Sequence, residues 1–90
     1  MTKTMTVLIQ EVNKVEHPKW RNDKLVKDAN NALNLLMRKG YLVRNVFGFR
    51  GWMREIDGTT CKLVISTEYS SEVICALLKL YFPNRKLEVV

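Results

Sequence analysis

One stretch limits the fold more than any other: Leu25, Ala29, Leu33 and Leu36 recur at intervals of three and four, with Val26, Ala32 and Met37 beside them. Apolar residues at that spacing line one face of a helix, which must be buried against another surface. The ends of this helix are marked as well. Asn22 or Asp23 can accept a hydrogen bond from the first turn, Arg38 and Lys39 suit the negative pole, and Gly40 can take the left-handed conformation that closes a helix. A chain of 90 residues builds one modest core. The covering surface must therefore come from the flanking segments, and we expect a single domain over residues 1–90.

Those flanks read as strands. Met5 to Val12 is an apolar, partly β-branched run of strand length, after which His17-Pro18 biases the chain away from helix. Tyr41 to Glu55 is aromatic and β-branched, Asp57-Gly58 supplies a tight turn, and Thr60 to Glu68 returns, which predicts a hairpin. Ser70 or Ser71 can cap a second helix over Glu72 to Phe82, Pro83 helps to end it, and Leu87 to Val90 reads as a short last strand. The order strand, helix, strand, strand, helix, strand predicts an α+β fold of ferredoxin-like βαββαβ type. Right-handed crossovers then place both helices on one face of a four-stranded antiparallel sheet and leave the other face open.

The register of the hairpin decides what the open face carries. A two-residue loop at Asp57-Gly58 sets Arg54 opposite Cys61 and Arg50 opposite Ile65, burying two guanidinium groups among apolar residues at a cost of several kcal/mol each. A three-residue loop with Gly58 left-handed pairs Glu55 with Thr59 and separates the faces. Phe47, Phe49, Gly51 and Met53 then turn towards the helices with Cys61, Leu63 and Ile65, while Arg44, Val46, Arg50, Trp52 and Arg54 turn outward with Lys62 and Val64.

Charge gives that outer face a meaning. Fifteen Lys and Arg against nine Asp and Glu leave a formal charge of +6, which attracts polyanions. Arginine forks bind phosphate oxygens and an indole stacks on unpaired bases. We therefore expect a non-catalytic nucleic-acid-binding protein, RNA favoured over single-stranded DNA. Arg44, Arg50, Trp52, Arg54 and Lys62 form its contact sheet, and Lys14, Lys19, Arg21 and Lys24 extend it along the phosphates.

Phe47-Gly48-Phe49 followed by Trp52 resembles the centre of the longer RNA-contact motif of the RNA-recognition-motif family, whose domains share the βαββαβ order. The likeness covers those positions only. Asn45 and Val46 stand where that family has a basic residue and glycine, Arg50 stands where it has an aliphatic, and the motif falls on the second strand instead of the third.

Other chemistry finds little footing. One histidine, His17, and two cysteines thirteen residues apart make no recognisable zinc site, and the chain has no phosphate-binding glycine loop or Ser-His-Asp set. Cys61 is expected in the core and inert. No cofactor is implied. The cysteine pattern favours a reduced, cytoplasmic setting, and no apolar run approaches the length of a membrane span or a leader.

The second helix raises a rival reading. From Val73 to Phe82 only Lys79 is strongly polar, although one apolar face suffices to cover a sheet. Ile74, Leu78 and Phe82, or Cys75 and Leu78 at another rotation, are thus expected to meet a second copy or a protein partner. In that reading the chain is a small protein-interaction module, such as a phage or mobile-element inhibitor or adaptor of a host protein.

Overall fold

The computed structural model describes residues 2–14, 17, 19–45, 48–49 and 51–90, and their side chains apart from those of residues 44–52. Strand β1 spans Lys3–Glu11, and its alternation is plain in burial: Met5, Val7 and Ile9 face the core, while Thr4, Thr6, Leu8 and Gln10 take the other side.

Helix α1 spans Asp23–Arg38. Asn22 Oδ1 accepts from the backbone N–H of Leu25 at 3.1 Å, so the expected cap is in place. Leu25, Val26, Ala29, Ala32, Leu33 and Leu36 are buried on the predicted face. At the other end Gly40 takes φ +80°, and the N–H groups of Gly40 and Tyr41 donate to Met37 O and Leu36 O. This paired closure satisfies carbonyls that a helix end otherwise leaves open.

The predicted strand from Tyr41 to Glu55 is divided. β2 (Arg44–Asn45) and β3 (Gly48–Phe49) form a two-stranded sheet of their own, and β4 spans Gly51–Asp57. The cause lies in the ladder. Val43 donates to Ser66 O at 2.9 Å, and the next pair along the hairpin is Gly51 with Ile65. Val43 thus takes a position beside Ser66 that an unbroken strand would give to a later residue, and the chain between leaves the main sheet. Arg44, expected on the open face of that sheet, belongs instead to β2.

β5 (Thr60–Thr67) completes the hairpin, with a different loop from the one expected. Asp57 pairs with Thr60 across Gly58 and Thr59, Glu55 pairs with Cys61, and Ile56 is bulged between them. Among the described residues Gly40 alone has positive φ, so Gly58 is not left-handed. Asp57 Oδ1 accepts from both the N–H and the hydroxyl of Thr59, at 2.7 and 2.6 Å, which tightens the bend to two residues and moves the extra residue into the strand. Observed and expected registers differ by an even number of positions. The expected parity is therefore kept for Met53, packed against the core, and for Arg54, which is exposed, while the side chains of residues 44–52 lie outside the described residues.

Helix α2 spans Ser71–Tyr81, with Ser70 Oγ accepting from Val73 N, and strand β6 spans Arg85–Val89. β6 begins two residues before the expected Leu87 because Arg85 pairs with Glu11 both in the ladder and through its side chain. The sheet runs β4-β5-β1-β6, every neighbouring pair antiparallel, with two helices connecting it. This is the α+β, ferredoxin-like βαββαβ layout.

One side-chain expectation fails outright. Ile74, Leu78 and Phe82 are fully buried members of the core, packed with Val7, Ile9 and Leu63, and present nothing to a partner. Helical phase explains it: residues four apart share a face, and this helix turns that face to the sheet.

Candidate functional site

Loop residues between β1 and α1, the start of α1 and the turn between α2 and β6 enclose a cleft of about 650 Å³ at one end of the sheet. Its walls include Lys14, His17, Trp20, Arg21, Lys24 and Arg85. Arg85 sits in a chain-spanning ion triad. Its side chain is 10% exposed, its Nε donates to Glu11 Oε2 at 3.0 Å, and its Nη1 donates to Asp28 Oδ2 at 2.8 Å. The guanidinium also lies over the Phe82 ring, 5.6 Å from the centroid. Burial works against its charge, but the bonds from Asp28 and Glu11 outweigh that and hold it above the ordinary arginine range.

The triad engages Glu11 and Asp28, and Asp23 is the third acid lining the cleft, set against Lys14, Arg21 and Lys24 among the described residues. Lys14, Arg21 and Lys24 are exposed there, and Lys19, exposed as well, precedes Trp20 in the same loop. Arg21 is tied to Asp23 (3.0 Å) and Glu55 (3.7 Å), and Glu55 in turn accepts from the backbone N–H of Asn22. Since Glu55 follows Arg54 on β4, the basic loop abuts the edge of the sheet that carries the hairpin cations.

Trp20 is a residue of this cleft that was not singled out from the sequence. Its side chain is 66% exposed and stacked on His17, with ring centroids 4.0 Å apart. Trp20 N–H donates to His17 O, so a local turn brings the two rings together. The signal was present in Lys19-Trp20-Arg21, an aromatic between two cations.

On the open sheet face, Arg54 pairs directly with Lys62, Lys62 with Leu8, and Leu8 with Glu88. Arg54 and Lys62 thus set two cations side by side on adjacent strands. Exposed Lys86, opposite Gln10, adds a further cation that the sequence reading did not single out. Trp52 pairs with Val64 in the ladder, and its side chain and that of Arg44 lie outside the described residues, as does Arg50 altogether. The candidate motif Phe47-Gly48-Phe49 is likewise only partly described.

Cys61 is fully buried, and burial pushes its thiol up to about 11 with Glu55 adding to the effect, so little of it is thiolate at neutral pH. Burial raises Cys75 as well. Among the described residues, no helix is long and apolar enough to cross a membrane.

The fold and the site together define a small ferredoxin-like domain with a basic, aromatic-bearing end. No family model, curated protein or solved structure matches the chain.

Proposed function

We propose that the protein is a non-catalytic module that binds single-stranded nucleic acid, RNA in preference to DNA, at the basic end of the sheet. The observation that carries this reading is Trp20, an exposed indole set among the exposed cations Lys14, Lys19, Arg21 and Lys24. A large apolar ring kept in water gives up the stabilisation that burial brings. It recovers that stabilisation when a base stacks on it, and the neighbouring ammonium and guanidinium groups take the adjoining phosphates. Arg54 and Lys62 add a pair of cations on the open face of the sheet, where Trp52 in the same hairpin is a second candidate platform.

The test is a salt-titrated binding assay with single-stranded RNA, single-stranded DNA and duplex DNA. Affinity for RNA should fall steeply with salt. Trp20→Ala should weaken it by about 1–3 kcal/mol, and Trp52→Ala should weaken it further if both indoles stack. Binding that is absent, or that ignores salt, removes the reading.

A further inference from the structure

The outer face of α2 remains apolar after its inner face is buried. Val73 is 40% exposed and Leu80 75% exposed, with exposed Ala76 between them. At 3.6 residues per turn these three form one stripe along the helix, and Glu72 and Lys79, also exposed, border it on one flank.

We propose that two copies of this chain associate through α2, antiparallel, about a twofold axis that passes at Ala76. The evidence is the self-complementarity of the face. A twofold lying in the contact plane and perpendicular to the helix reverses position along the axis but keeps each flank on its own side. Glu72 then meets Lys79 of the second copy, and Val73 meets Leu80 of the second copy. Both pairings are centred on Ala76 to within half a residue, and Ala76 is the smallest side chain on the face, which lets the two helices approach at the crossing. Lys79 Nζ donates to Arg85 O at 2.9 Å. An ammonium has three donors, so that bond is compatible with a carboxylate alongside.

Charge separates this occupant from the others. The face carries one acid and one base, so it has no net attraction for a polyanion, and the cationic excess lies elsewhere on the domain. An unrelated protein has no reason to match a pattern whose acid, base and apolar positions are related to each other by a twofold at one residue. A second copy matches it by construction.

The test is sedimentation equilibrium of nuclease-treated full-length protein at roughly 10–100 µM, where weak dimers populate. A dimer mass is expected, and Leu80→Glu should reduce it to a monomer with an unchanged far-ultraviolet spectrum. Glu72→Lys and Lys79→Glu should each weaken self-association at low salt, while an equimolar mixture of the two variants should recover it as a heterodimer. Either of two results with the treated protein overturns the proposal, and a third comes from comparison with untreated protein. The first two are a wild-type monomer throughout that range, or variants that self-associate as well as the wild type. A dimer that disappears on nuclease treatment also overturns it and assigns the assembly to bridging nucleic acid.

Discussion

Both helices lie on the same side of the same sheet, yet they finish their outer surfaces differently. α1 turns Lys24, Lys27, Asn30 and Asn31 to solvent, whereas α2 turns Val73, Ala76 and Leu80. Their inner faces are alike: Leu25, Leu33 and Leu36 on one and Ile74 and Leu78 on the other are equally buried. The contrast shows that the core takes up every apolar residue of α1 except Leu35, and only about half of those on α2. What α2 carries in excess is therefore a property of its outer surface.

Five measurements break or sharpen that contrast. The largest effect should come from Arg85, through which α1 is tied to β6 by Asp28. Arg85→Met leaves Glu11 and Asp28 facing one another without their cation, and should cost about 3–5 kcal/mol in denaturant unfolding. Next, Leu36→Ala and Leu78→Ala empty equivalent inner positions and should each cost about 2–5 kcal/mol. A large difference between the two would show that the inner faces are not alike. The caps come third: Asn22→Ala and Ser70→Ala each remove an acceptor from a first-turn N–H, worth about 1 kcal/mol.

A pH measurement off both helices comes fourth. The bonds from Thr59, side chain first and backbone second, hold the Asp57 carboxyl below its ordinary value of 3.8. A group depressed in the folded state contributes stability that is present above its unfolded pKa and lost as pH falls through the lower folded value. Asp57→Asn should therefore flatten the acid limb of the stability profile below about pH 4. The smallest effect belongs to the outer faces. Lys27→Ser and Leu80→Ser should each stay within about 0.5 kcal/mol of wild type in dilute monomer, and Leu80→Ser alone should change the sedimentation behaviour at high concentration.

The fold was legible where a local signal agreed with the global one. Asn22, the three-and-four repeat and Gly40 mark α1 at both ends, and the strand order followed from the remaining apolar runs. The hairpin was half legible. Keeping Arg54 out of the core gave the correct parity at Met53 and Arg54, but that argument fixes parity alone, and the bulge at Ile56 with the Asp57–Thr59 bonds set the actual pairing. The break before β4 depended on Val43 reaching Ser66, a tertiary contact with no local signature.

Ile74, Leu78 and Phe82 were expected at a partner surface and are buried, because a helix apolar nearly all round gives no rotational phase of its own. Of the candidate site, the cations of the loop were found from composition, and Arg54 and Lys62 from register. Trp20 was missed because an aromatic in a loop reads as packing until its exposure is known.

The ion triad also has a consequence for the order of assembly. Arg85 reaches across 74 residues to Glu11 and 57 to Asp28, and it opens β6, the last strand in chain order. During synthesis β1 and α1 emerge with two converging carboxylates and no guanidinium between them. Until β6 arrives, β1 lacks the neighbour on one side that makes it an interior strand of the finished sheet. The ladder along Val7 to Glu11 closes only when β6 pairs with it, and the guanidinium that opens β6 then takes its place between the two carboxylates.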